Sequence, residues 1–239
     1  MFWNSQTSGK VDLAFTDREG GVSHGPWGSL NLGTSNGDDP ALVDSNLARV
    51  AEALGVRRLV RMTQVHGASA AWVEDVAPGE IPEADVLLSR TPGVGLLVRV
   101  ADCTPVVIAA TDESLVAVVH CGRAGLLAGV VPAAVDELRA HGATALQAWV
   151  GPRACGRCYE LPQEMVDDVA QTFPDARSTT SWGTPAVDVG AGVLSRLAAL
   201  DVQTTDLAAD ECTIEDERWF SYRRQGQDSG RFGAVAVIR

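Results

Sequence analysis

Residues 93–122, GVGLLVRVADCTPVVIAATDESLVAVVHCG, constrain the fold more than any other part of the chain. The runs LLVRV, VVIAA and LVAVV are short, apolar and rich in Val, Leu and Ile, the pattern of strands covered on both faces and not of amphipathic helices. The stretch is expected to form two or three buried strands with Cys103 and His120 at chain breaks at their ends. Loops at strand ends are where a rigid scaffold exposes reactive side chains, so a thiol and an imidazole there point to a metal site or a nucleophile.

A chain of 239 residues buries roughly three quarters of its unfolded surface, so a large core forms without staples. Hydrophobic residues at 46% and charged residues at 21% argue against disordered and fibrous classes. Nineteen basic against thirty-one acidic side chains leave a formal charge of -12, which repels a polyphosphate backbone and argues against nucleic acid as a partner. The N-terminus lacks the basic start and apolar core of a secretory signal, and no run approaches about twenty apolar residues, so no membrane association and a cytoplasmic location are expected. Five cysteines, an odd number in a chain this long, favour reduced thiols, metal ligation or catalysis over a disulfide framework. The oligomeric state is left open, a monomer included.

In chain order, VDLAFT at 11–16 alternates as a half-buried strand does and leads into a Gly-rich stretch whose His24 reads as a solvated loop histidine. Asp39 and Pro40 look like an N-cap and first helical residue, with Val43, Leu47, Val50 and Leu54 at helical spacing and Gly55 as the stop. RRLVRMTQVHG at 57–67 reads as a strand ending at Gln64, Val65 and His66, which places His66 like Cys103 and His120. A short strand near 71–73 and a polar connection, VAPGEIPEADV, precede the central stretch. Beyond it, Leu127, Val130, Val131, Ala134, Val135 and Leu138 predict one helix with Pro132 in its first turn and His141 complementing the dipole in its last. A strand at 145–150, helices over 166–173 and 188–200, and a C-terminal strand FGAVAVI complete the chain. No composition shift divides it, so residues 1–239 are expected to form a single mixed α/β domain.

His66, Cys103 and His120 have the residue types of a zinc site, yet their wide spacing is equally that of a Cys and His nucleophile pair or of unrelated core residues. Asp102, beside Cys103, is a candidate to orient one histidine, or else a turn residue at a strand end. Cys155-Gly-Arg-Cys158 has no second pair of cysteines and Cys212 stands alone, so these three read as structural thiols. Arg218, Arg223, Arg224 and Arg231 cluster near the C-terminus, either as an anion clamp or as ion-pair partners of Glu215, Asp216, Glu217 and Asp228. Arg123 adds a cation near His120.

Together, FTDREGGVSHGPWGSLNLG with GDDP, QVHG at 64–67, ADCTPV at 101–106, VHCGRAG at 119–125, GPRACGRCYE at 151–160 and FSYRR with GR at 230–231 resemble the YfiH/laccase-domain family, also called the multicopper polyphenol oxidase or peptidoglycan editing factor family. The resemblance runs nearly end to end. It implies a four-layer α/β/β/α sandwich and a zinc ion held by His66, Cys103 and His120, which also serve catalysis. It further implies a purine nucleoside enzyme that phosphorolyses adenosine, inosine and methylthioadenosine and deaminates adenosine, with nucleoside and phosphate as partners. Arg123, Arg223 and Arg231 are the expected substrate contacts. A laccase-like copper polyphenol oxidase and a Cys/His hydrolase that edits peptidoglycan precursors are the alternatives attached to the family. Four histidines are too few for several copper sites of the usual kind. The family often reads H-A-G-W-R-G where this chain has His120, Cys121, Gly122, Arg123, Ala124 and Gly125, so a tryptophan is missing and the arginine stands one place early.

Overall fold

In the computed structural model, which describes residues 1–77, 79–112 and 114–239, the central stretch forms three strands, and they divide between two sheets. Pro78, within the anticipated polar connection, and Glu113, within the central stretch, lie outside the described residues. The first sheet runs in the order Phe2–Ser8 (β1), Val11–Thr16 (β2), Phe232–Ile238 (β13), Val94–Val100 (β6) and Arg58–Val60 (β3). The second runs Gln203–Asp206 (β12), Leu146–Val150 (β9), Thr104–Ala110 (β7), Val116–Cys121 (β8), Val86–Ser89 (β5) and Ala70–Trp72 (β4). A small third sheet pairs Arg177–Thr179 (β10) with Pro185–Val187 (β11). The helices are Pro40–Ala53 (α1), Arg123–Ala128 (α2), Val130–Ala140 (α3), Gln163–Thr172 (α4), Val189–Ala199 (α5) and the short Tyr222–Gln225 (α6). The architecture is mixed α/β with several sheets.

Side chains on β7 show why its sequence is apolar without interruption. Val107 and Ala109 point into the space between the two large sheets, where they join Leu96 and Val98 of β6, while Val106 and Ile108 point the other way, toward Val130 and Val135 of α3. Alternate residues thus serve two different cores, and each buried Val or Ile contributes roughly 1.5–3 kcal/mol. On the outer face of the first sheet, Val43, Leu47 and Val50 of α1 cover Leu97, Val235 and Val237. That helix starts as its sequence requires: the Asp39 carboxylate accepts the Ala41 amide at 2.9 Å and Pro40 takes the first helical position.

Two local expectations are corrected. The helical stripe from Leu127 to Leu138 is broken into α2 and α3 at Gly129, whose φ of 82° is a left-handed conformation natural to glycine, and Pro132 sits in the first turn of α3. Strand β3 ends at Val60, well before His66. Beyond it the Gln64 side chain replaces the ladder, accepting the Arg99 amide at 2.9 Å and donating to the Arg99 carbonyl at 2.7 Å. A side-chain amide has the donor and acceptor of a peptide group, so it completes the edge of β6 while the backbone turns away.

The loop after β9 is tied to β12 by an ion pair in which both Arg153 nitrogens meet the Asp206 carboxylate, at 2.8 and 2.7 Å, with Arg153 buried. Removing one partner strands a buried charge. Asp206→Ala is expected to lower unfolding stability by about 3 kcal/mol, measured by urea titration.

Candidate metal centre

The chain crosses between the two large sheets at one shared corner, and the site is built from those crossings. β6 leads through Ala101, Asp102 and Cys103 into β7, and β3 leads through Thr63 to Gly67 toward β4. The start of β13 lies there too, because Phe232 pairs with Val100 at the end of β6. His120 reaches the corner from β8, where it is paired with Pro105.

Both crossings use strained backbone. His66 has φ 61° and Asp102 φ 90°, values that cost a non-glycine residue on the order of 1–3 kcal/mol and persist only where the surroundings hold them. At His66 the holding group is Asp85, at the head of β5. Its carboxylate accepts the amides of Val65, His66 and Gly67 at 3.3, 3.0 and 2.7 Å. At Asp102 the carboxylate accepts the Thr213 hydroxyl and the Arg223 amide, each at 2.7 Å, and the carbonyl accepts the Ala154 amide at 3.0 Å. Asp102 therefore orients no histidine. That task falls to Asp85, which also meets Nδ1 of His120 at 2.7 Å and leaves Nε2 as the free nitrogen.

Two imidazoles and a thiol converge as a result. Nε2 of His66 lies 3.7 Å from Sγ of Cys103, and one ligand atom from each of His66, Cys103 and His120 falls within 4.8 Å of the others. Gly122 closes the floor of the site, since a Cβ there would stand 2.9 Å from both Cys103 Sγ and the His66 ring. Burial pushes the Cys103 thiol up to about 12, with Asp102 adding to the effect and Arg231 opposing it. Burial also lowers His120 from the ordinary histidine value, against the pull of Asp85. Asp85 feels burial in the opposite sense, yet the hydrogen bonds from His120 and the Gly67 and His66 amides outweigh it and hold the carboxyl below its usual range. A neutral imidazole oriented by a buried carboxylate and a thiol that keeps its proton until a cation replaces it fit a metal centre better than a free Cys nucleophile.

The centre lies in the wall of a 520 Å³ cavity that also takes in Thr34, Arg99, Tyr159, Tyr222, Arg223 and Arg231. Arg99 donates to the carbonyls of Leu32 and Met62 and to the Thr34 hydroxyl. Arg231 donates to the carbonyls of Ser229 and Gly230, and Arg223 to that of Glu160 while lying 4.4 Å over the Tyr159 ring. Burial, then Arg61 and Arg231, lower Arg99 to about 10, so it stays charged at neutral pH. The C-terminal arginines thus divide. Arg218 forms ion pairs with Asp216 and Glu211 at 2.6 and 2.8 Å, and Arg224 donates to the carbonyls of Thr213, Ile214, Asp216 and Trp219. Arg223 and Arg231 face the cavity, whereas Arg123 opens α2 and is not among the cavity-lining residues described.

Away from this centre, His24 is exposed beside a short 3-10 turn, and His141 bonds through Nδ1 to the Glu137 carbonyl at 2.8 Å, completing the end of α3. One part of the reading of these thiols is corrected, for Cys212 does not stand alone: Cys155, Cys158 and Cys212 converge with Glu215, all four ligand atoms within 4.8 Å of one another. A hydrogen bond from the Cys155 thiol lowers Cys212 from the ordinary thiol value. Sequence reasoning also missed Asp85 and Arg99. The acid just ahead of the apolar run VLLS was a visible sign of Asp85, while Arg99 within LLVRV was readable only as an oddity in a buried strand.

Fold and site together define a mixed α/β protein with a Cys and His metal-capable centre at a sheet crossing. The chain belongs to the multi-copper polyphenol oxidoreductase laccase family, which matches residues 12–239. It is 49% identical to a purine nucleoside phosphorylase of Streptomyces griseus over 97% of this chain and 96% of the relative, and 44% identical to one of Streptomyces coelicolor over the full length of both. Among solved structures it resembles a Neisseria meningitidis protein, with a TM-score of 0.88, 28% identity and coverage of 99% and 98% of the two chains. YlmD of Geobacillus stearothermophilus is similar at a TM-score of 0.84 and 31% identity, covering 97% of this chain and 93% of its own. Among the described residues no helix is long and apolar enough to cross a membrane.

Replacing Asp85 by Asn keeps the shape but removes the charge that orients His120 and organises the 65–67 turn. Asp85→Asn is expected to weaken metal binding at this centre about 10- to 100-fold, measured with added Zn²⁺ by competition with a chromogenic chelator.

Proposed function

We propose that this chain is a zinc-dependent purine nucleoside enzyme that phosphorolyses adenosine, inosine and methylthioadenosine and deaminates adenosine in the same cavity, with residues 1–239 acting as one domain in the cytoplasm. One observation carries the reading: the guanidiniums of Arg99, Arg223 and Arg231 share the cavity with His66, Cys103 and His120, and backbone carbonyls and the Thr34 hydroxyl hold them, with no carboxylate ion pair to any of the three among the described residues. Their positive charge is therefore left for an anion. The names of the Streptomyces relatives support phosphate as that anion.

His66, Cys103 and His120 would hold the zinc ion as three protein ligands, the number that leaves a coordination position open. Bound there, zinc would supply a Lewis acid that polarises an oxygen ligand for phosphorolysis and lowers the pKa of a water for deamination. The rest of the work falls to the chain. The guanidiniums of Arg99 and Arg231, fixed by their carbonyl partners, present forked donors to phosphate and hold it against the ribose C1′. The half-exposed Tyr222 ring, 6.0 Å from the Arg231 guanidinium, offers a face for the purine. Asp85 keeps the His120 proton on Nδ1, away from the cavity.

A multi-copper oxidase would need more ligands than the site holds, because His24 and His141 are not among the residues that line the cavity. A metal-free Cys hydrolase is disfavoured by a Cys103 thiol pushed up to about 12.

Incubation with adenosine and phosphate is expected to yield adenine, ribose 1-phosphate and inosine, and a yield no greater than that of Cys103→Ser would overturn the reading. Arg99→Met and Arg231→Met are each expected to raise the phosphate KM about 10- to 100-fold, the loss of a charge-assisted hydrogen bond, while adenosine deamination, which uses no phosphate, changes far less. Acid has a defined sign as well. Because His120 is lowered from 6.5 in the folded protein, its neutral form persists down to that pH, and protons compete for Nε2 only below it. Zinc affinity is expected to rise with pH through the neutral range, because binding displaces the proton of a Cys103 thiol pushed up to about 12, and to fall more steeply below about pH 6.5 as protons also compete for His120, as followed by metal titration across pH.

A further inference from the structure

The second convergence of thiols has the construction of a metal site in its own right. Two segments far apart in sequence each supply residues spaced by two: Cys155-Gly-Arg-Cys158 and Cys212-Thr-Ile-Glu215. Both fold into the same turn. The Cys158 amide donates to the Cys155 carbonyl at 3.0 Å, and the Glu215 amide donates to the Cys212 carbonyl at 3.2 Å. In such a turn the first and fourth side chains emerge on one side, so each segment offers a pair of ligands.

The two pairs face each other. The Cys155 amide donates to Sγ of Cys212 at 3.3 Å, Sγ of Cys158 lies 3.2 Å from Oε1 of Glu215, and all four ligand atoms stand within 4.8 Å of one another. A tetrahedral zinc site with Zn–S bonds of about 2.3 Å sets its sulfurs about 3.8 Å apart, so contraction by no more than about 1 Å is needed. Amide donation to a ligand sulfur stabilises the thiolate that a metal requires. The first turn is also firmly seated, because a Cβ on Gly156 would meet the Cβ of Asp188 and the Oγ of Ser178 at 2.7 Å. A disulfide would use two of the three sulfurs and leave the third beside a carboxylate, whereas a divalent cation satisfies all four groups.

We propose that Cys155, Cys158, Cys212 and Glu215 form a second, closed zinc site that staples the loop after β9 to the segment between β12 and α6. Its role is structural. Tyr159 adjoins one turn, and Thr213, within the other, donates to Asp102 beside Cys103, so the staple fixes one wall of the cavity. It does not depend on the first centre holding zinc.

The test uses the full chain with His66→Ala and Cys103→Ser combined, which dismantles the first centre. That protein is expected to retain one zinc per chain, and after exchange with Co²⁺ to show a thiolate-to-cobalt charge-transfer band with the strong visible absorption of tetrahedral cobalt. Adding Cys155→Ser and Cys212→Ser should abolish both signals. In the unmutated protein, bound Zn²⁺ should protect Cys155, Cys158 and Cys212 from alkylation as mapped on peptides, and chelation should expose them together. The proposal is overturned if the His66→Ala/Cys103→Ser protein is folded but binds neither Zn²⁺ nor Co²⁺, if the three cysteines alkylate equally with and without Zn²⁺, or if two of them are found joined as a disulfide.

Discussion

The buried carboxylate of Asp85 is the interaction on which the centre depends. It faces His120 on one side and the amides of residues 65–67 on the other, so a single side chain sets the tautomer of one histidine and the backbone path of the second. A carboxylate without partners in that position would be costly, and here donors surround it. The left-handed backbone of His66 is held by the same contacts. Charge, strain and ligand geometry are thereby linked in one group, and none of the three is adjustable alone.

The architecture explains why such a site arises at this corner. Where β6 passes into β7 the chain leaves one sheet for the other, and a chain between sheets has no ladder to satisfy its amides and carbonyls. Side chains take over that work: Gln64 pairs with the Arg99 backbone, and Asp102 receives Thr213 and Arg223. The polar groups that the crossing needs for its own stability are the ones that shape the cavity.

Electrostatics at the cavity run against the molecule as a whole. The chain carries a formal charge of -12, yet Arg99, Arg223 and Arg231 gather in one concave wall with carbonyl partners. A local cluster in a recess binds an anion regardless of the distant surface, because charges separated by more than about 10 Å are screened at ordinary salt. The acidic exterior and an anion-binding interior are compatible for that reason.

Sequence alone determined the buried strands, from uninterrupted Val, Leu and Ile runs, and singled out Cys103, His120 and His66 as candidate groups, because they stand beside strand-like segments. Ordered motifs also identified the family correctly. The structure decided what each of those residues touches. Asp85 stands 35 residues from His120, Arg99 reaches Leu32 across 67, and Asp102 meets Thr213 across 111. Local periodicity reports on neighbours a few positions apart, and none of these contacts is of that kind. The same limit hid the partner of Cys155 and Cys158, since Cys212 and Glu215 approach only after β9 and β12 align in parallel. Residue type and strand burial are local properties of a chain, whereas which side chains meet is set by how the two sheets cross.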